Sequence, residues 1–141
     1  MHLSTFARYG LRSIIRLAVQ HTQGKEIVSI SAIAKHENIS IKYLEAIFAI
    51  LKKNNMISAV RGKKGGYRIK KKYDAITALN IVESLDGEIG PVDCVIDKKS
   101  CKNKPSECVV YPLWVELNKK MRQVLMSKTL ADFIKDFKKI K

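Results

Sequence analysis

The sequence has no apolar run approaching the roughly 18 residues a helix needs to cross a bilayer. Its first residues (Met1, His2, Leu3, Ser4, Thr5) begin inside an amphipathic pattern and lack the apolar core of a signal peptide. The expectation is a soluble, cytoplasmic protein with no membrane partner. Cysteine is scarce and odd in number, three in 141 residues, so the thiols cannot all pair within one chain and a disulfide-stapled secreted scaffold is not expected. No C-x-x-C pair is present, which removes the usual spacing of structural zinc and of a disulfide reductase. No Gly-Lys-Ser or Gly-Lys-Thr follows the glycines, so a phosphate-cradling loop of the nucleotide-hydrolase kind is not expected. With no His and Asp constellation either, the chain does not read as an enzyme. Acid is also short: 13 Asp and Glu stand against 27 Lys and Arg, a net charge of +14.

What is present is a globular composition, 46% hydrophobic, of a length that suits one domain or a small domain with an appendage. The charge is uneven. Residues 1–73 carry 15 basic and 3 acidic side chains, residues 74–141 carry 12 and 10. A basic, folded front half attracts a polyanion through counterion release, nucleic acid being the usual partner and an anionic membrane surface the competitor.

Helical spacing of Phe6, Tyr9, Ile14, Leu17 and Ala18 predicts a first helix over Thr5 to His21. Arg8, Arg12 and Arg16 form a stripe on another of its faces, either solvated or set against phosphates. Ser31 can cap a short helix, Ala32 to Glu37, that Asn38 ends. Ser40 can cap a longer one to about Asn54, with Ile41, Leu44, Ile47, Phe48 and Leu51 as its buried stripe. Two such helices joined by about three residues make a helix-turn-helix pattern. Met56 to Val60 and Tyr67 to Ile69 suit two strands around Arg61-Gly62-Lys63-Lys64-Gly65-Gly66, a hairpin wing with cations at its tip. A short helix from Ala78 to about Leu85 follows, capped by Thr77. After an irregular stretch from Gly90 to Glu107, Pro112 opens a long helix. Its face carries Leu113, Leu117, Met121, Val124 and Leu125, with Trp114 beside it. Thr129 caps a last helix. The fold class is mostly α with a small β-hairpin wing: a winged helix-turn-helix domain over residues 1–73, then a cysteine loop and a long dimerisation helix over residues 74–141. Leu113, Trp114, Leu117, Met121 and Val124 are the candidate dimer contacts, because little other chain is left to cover them.

Four stretches resemble a known family: Arg8-Tyr9-Gly10-Leu11-Arg12; Ile39-Ser40-Ile41-Lys42-Tyr43-Leu44-Glu45; Val60 to Tyr67; and Cys94, Cys101 and Cys108 followed by Pro112-Leu113-Trp114. Together they are similar to the winged-helix regulators related to the iron–sulfur regulator IscR, the nitric-oxide sensor NsrR and the cysteine-metabolism regulator CymR, the Rrf-two family. The resemblance implies a homodimeric transcription regulator, most often a repressor, on a pseudo-palindromic double-stranded operator. It implies DNA contacts from Ser40, Lys42, Tyr43, Glu45 and Arg61. Lys63 and Lys64 join them as cations at the wing tip. On chemistry, Ser40 and Tyr43 can donate to phosphates and Lys42 adds a charge. Arg61 suits a minor groove. Glu45 can accept from a cytosine amine or serve a pairing or capping role within its helix. Ala46 cannot read a base edge by hydrogen bonding.

The cysteines are spaced C-x6-C-x6-C among Lys98, Lys99, Lys102 and Lys104, whose charge favours thiolate, the metal-binding form. An irregular loop can fold back so that three thiolates converge. The resemblance implies that Cys94, Cys101 and Cys108 hold an iron–sulfur cluster, 2Fe–2S or 4Fe–4S, which as a rule takes four protein ligands. Here the gaps are six residues where the IscR type has five, and Tyr111 stands where that type has a histidine. The fourth ligand is therefore open among His2 of a partner chain, Asp93, Glu107, Tyr111 and an exogenous molecule. A cluster-free repressor controlled by thiol oxidation or a protein partner is the alternative; zinc and unreactive thiols are further ones.

Overall fold

Hydroxyl oxygens start five of the six helices in the computed structural model, which describes residues 2–140. Helix α1 (Thr5–Thr22) is capped by Ser4, α2 (Ile30–Glu37) by Ser29, α3 (Ile41–Lys53) by Ser40 and α4 (Ala78–Asp86) by Thr77, each accepting an otherwise unpaired first-turn N–H. Thr77 and Asn80 cap reciprocally, at 3.1 and 3.0 Å. Helix α6 (Leu130–Ile140) starts the same way: Thr129 Oγ1 accepts from the Asp132 N–H, and the Asp132 carboxylate accepts from the Thr129 N–H at 2.9 Å. Helix α5 (Tyr111–Ser127) has no side-chain cap and opens on Pro112, at its second residue.

Strands β1 (Ile57–Val60) and β2 (Gly66–Ile69) pair antiparallel, Ile57 opposite Ile69 and Val60 opposite Gly66. Gly62 at the turn has φ +118, open to glycine at little cost. A residue from outside the hairpin joins it. Val28 donates to the Tyr67 carbonyl at 2.9 Å and accepts from the Tyr67 N–H at 2.8 Å. Gly66 permits this approach, because a Cβ there would lie 2.2 Å from the Val28 carbonyl oxygen.

Ile14, Leu17, Ile33, Leu44, Ile47, Phe48 and Leu51 pack the centre, with Val28, Ile57 and Ile69 from the sheet side. The same core continues past residue 73 through Ile76, Ile81, Leu130 and Ile134. Backbone bonds from Ala78 N to the Lys128 carbonyl (2.8 Å) and from Leu130 N to the Ile76 carbonyl (2.9 Å) join the starts of α4 and α6. No described helix is long and apolar enough to cross a membrane.

Three sequence readings need correction. Helix α2 is capped by Ser29 and begins at Ile30, not at Ala32 behind Ser31, because the Val28 pairing ends just where a cap is needed. Ile41 lies 45% exposed at the start of α3 instead of in its buried stripe, because the first turn meets α1 through Tyr43, whose ring packs against Phe6 and Tyr9. The arginine stripe is only in part a free face. Arg12 and Arg16 reach the buried Glu37 carboxylate at 3.3 and 3.8 Å, and Arg16 also stacks over Phe137. Arg8 stays exposed.

Two stability tests follow from these contacts. Gly66→Ala drives a methyl into backbone, and urea unfolding should show a loss on the order of 1–3 kcal/mol. The Thr129 hydrogen bonds hold the Asp132 carboxyl below its usual value. Its contribution is therefore present above the ordinary carboxylate range and lost as the pH falls through the lowered value. The melting-temperature gap between wild type and Asp132→Ala should narrow as the pH drops from about 7 to about 3.

Candidate nucleic-acid interface and cysteine loop

The cap that starts α3 also places its front. Ser40 Oγ accepts the Tyr43 N–H at 3.0 Å, so Ser40, Lys42 and Glu45 emerge on the exposed first turns. Tyr43 is half-buried, its ring edge-on to Phe6 at 5.7 Å and to Tyr9 at 6.2 Å. These contacts fix the ring against α1 and orient the hydroxyl-bearing end of a short helix turn. Glu45 forms no ion pair among the described residues, which removes an intrahelical salt bridge as its role. Burial, and then the nearby Glu45 charge, push the Tyr67 hydroxyl pKa up.

At the wing tip Arg61, Lys63 and Lys64 are all exposed, and none is ion-paired among the described residues. The Gly65 N–H donates to the Gly62 carbonyl at 3.0 Å and closes the turn that carries them. Arg68, further down β2, is occupied by Glu26 at 3.8 Å.

The cysteines sit on a chain of short turns. Cys94 lies in a 3-10 turn (Asp93–Val95), Cys101 directly follows a second (Lys98–Ser100), and Cys108 follows a third (Pro105–Glu107). All three thiols are free; Cys94 and Cys108 are half-buried and Cys101 is exposed. The donor type suits an iron–sulfur cluster, but the loop does not gather the donors. No group of three or more His, Cys, Asp or Glu side chains stands close enough to share a metal among the described residues. Of the residues offered as a fourth ligand, His2 and Asp93 line one cleft of about 850 Å3, together with Met121 and Val124 of α5.

Helix α5 has no fully buried residue. Leu113 (57% exposed), Leu117 (41%) and Val124 (66%) are open, and Trp114 and Met121 are half-buried. These side chains leave α5 with an uncovered apolar face among the described residues. One ion pair ties it to the rest: Arg122 donates two bonds to Glu83 of α4, at 2.9 and 3.0 Å. Those bonds strengthen the guanidinium's hold on its proton. This pair was not legible in sequence, because 39 residues separate its members.

Comparison with known proteins decides the family. Residues 3–136 match the Rrf2 family, described as iron-dependent transcriptional regulators. The chain belongs to the Rrf2 family. CymR of Bacillus subtilis is 36% identical over 132 residues, 94% of this chain and 88% of that protein. The solved structure of that CymR, described as the global cysteine regulator, superposes with a TM-score of 0.80 over 96% of this chain and 97% of its own. IscR of T. potens superposes equally well, TM-score 0.80 at 30% identity, over 100% and 91% of the two chains. The oxidized form of Staphylococcus aureus CymR follows at 0.75 and 32%, over 95% and 96%. This Rrf2 chain is thus a transcriptional regulator with the winged-helix fold of those proteins.

The Ser40 oxygen holds the start of the Rrf2 helix that presents the candidate contacts. Ser40→Ala should cost about 1 kcal/mol in urea unfolding, and Ser40→Asp, which caps equally well, should recover it.

Proposed function

We propose that the protein is a sequence-specific DNA-binding repressor that works as a homodimer on a pseudo-palindromic operator, with residues 1–73 gripping the duplex and residues 74–141 sensing and pairing. What carries the reading is the exposed cationic wing tip (Arg61, Lys63, Lys64), which has no ion pair among the described residues, together with the exposed Ser40, Lys42 and Glu45 and the half-buried Tyr43 at the start of α3. On this reading Arg61 enters the minor groove, Ser40, Lys42 and Tyr43 hold phosphates, and Glu45 accepts from a base amine in the major groove. Leu113, Trp114, Leu117, Met121 and Val124 of α5 form the seam between two copies.

Cys94, Cys101 and Cys108 are proposed to hold an iron–sulfur cluster, 2Fe–2S or 4Fe–4S, which when bound would supply a charge and redox state that oxygen or nitric oxide can change. The description of the family as iron-dependent and the likeness to IscR support this. A second reading drops the cluster and lets thiol oxidation or a protein partner set the affinity. It is favoured by the ungathered thiols, the exposed Cys101, and the likeness to a CymR known in an oxidized form.

Titration of labelled AT-rich palindromic duplexes at moderate salt tests the DNA reading. Binding should fall steeply with salt, and Arg61→Ala should weaken it about tenfold or more. Absence of any duplex preference would end that reading. Protein purified without oxygen should contain iron and sulfide and absorb visible light, and Cys101→Ala should lose all three. A colourless, iron-free protein whose duplex affinity changes on oxidation would transfer the case to the second reading.

A further inference from the structure

Helix α4 ends on Asp86, a carboxylate at the pole of the helix that already carries negative charge, and no basic residue lies in its last turn to offset it. The compensation comes from 82 residues upstream. The Ser4 N–H donates to Asp86 Oδ2 at 3.0 Å, and the Ser4 hydroxyl donates to Asp86 Oδ1. With its proton committed there, the same hydroxyl accepts the Ala7 N–H at 2.9 Å and so starts α1. The carboxylate thus sits at the positive end of α1, where an acid is favoured. A second contact supports it: Gly10, further along α1, leaves the room that the side chain of the neighbouring Leu85 fills.

What this clasp holds bears on the α3 front. Phe6 and Tyr9 stand on the first turns of α1, directly after the Ser4 cap. Their rings meet the Tyr43 ring edge-on, at interplanar angles of 86° and 90°. The Ser40 cap fixes the backbone of Tyr43, but the place of its ring, and with it the hydroxyl, is set from α1.

We infer that Asp86 is a positioning residue for DNA binding: through Ser4 it fixes the first turns of α1, and the Phe6 and Tyr9 rings carried there aim the Tyr43 hydroxyl at a phosphate. The inference rests on the DNA-binding reading above and deepens it, by giving a residue of the 74–141 half a part in the grip of the 1–73 half. Asp86 itself touches no DNA on this account. Its charge opposes a polyanion, so electrostatics alone has its removal tighten binding. Positioning has the opposite sign, and the two are thereby separable.

The test titrates the AT-rich palindromic duplex with wild type, Asp86→Ala, Tyr43→Phe and the double variant at several salt concentrations, after thermal melts have confirmed that each is folded at the assay temperature. Asp86→Ala should bind about fivefold more weakly although it carries one negative charge fewer, and Tyr43→Phe should lose about the same. The double variant should be no weaker than the weaker single one, because both substitutions remove the same contact. The slope of log affinity against log salt should stay at the wild-type value, since a hydroxyl releases no counterion. An Asp86→Ala affinity equal to that of wild type, or higher, overturns the assignment and leaves the DNA reading standing. So does a double variant whose losses multiply to about 25-fold, or a Tyr43→Phe that binds as wild type does; Asp86 then serves stability alone. If wild type itself binds no duplex, both readings fall. Should Asp86→Ala be unfolded, Asp86→Asn takes its place in the cycle: it keeps the shape and one accepting oxygen, and it should bind about threefold more weakly with the same non-additivity.

Discussion

Two backbone hydrogen bonds between Val28 and Tyr67 set the working geometry of this protein. They fasten the wing to the segment that becomes α2 one residue after the Ser29 cap, so the helix-turn-helix and the hairpin move as one piece. Only a residue without a side chain lets the strands meet there, and Gly66 supplies it. Phe48 of α3 closes the other side, its ring 4.9 Å from that of Tyr67. The spacing between the α3 front and the Arg61–Lys64 tip is therefore a property of the core, not of a flexible arm.

Much of this was legible from single residues. Ser40, Thr77, Pro112 and Thr129 each mark a helix start by local chemistry, and local chemistry survives folding. Asn38 stops α2 in a left-handed conformation, φ 56 and ψ 48, as its side chain allows. Ser31 is a good cap by its local chemistry, but Ser29 two residues upstream has the same chemistry and takes the role. The choice is made by Val28, whose pairing with a residue 39 positions away leaves no trace in a short window. Ile41 shows a related limit: periodicity identifies a helix face, but not which first-turn residue meets the neighbouring helix, here Tyr43. The Arg12 and Arg16 stripe needed Glu37, a carboxylate from another helix, before its partners could be named.

The candidate site divides along the same line. Exposure of Ser40, Lys42 and Glu45 at the α3 front and of the wing cations follows from local order. The cysteine loop has no such local rule. Its three turns are each closed by bonds within a few residues, such as Lys99 N to the Asp97 carboxylate at 3.0 Å and Glu107 N to the Lys104 carbonyl at 2.9 Å. Nothing in that pattern commands the thiols to meet, so whatever gathers them has to come from a bound group, from the N-terminal stretch around His2, or from another chain.

Glu83 gives that loop a mechanical address. Its carboxylate accepts two bonds from Arg122 and a third from the Ile89 N–H at 3.2 Å, just upstream of the first cysteine. One side chain on α4 thus holds both the segment that leaves for the cysteines and the helix to which the chain returns. The cysteine stretch is thereby tied to α4, and through α4 to the core beneath the winged unit, on both of its sides.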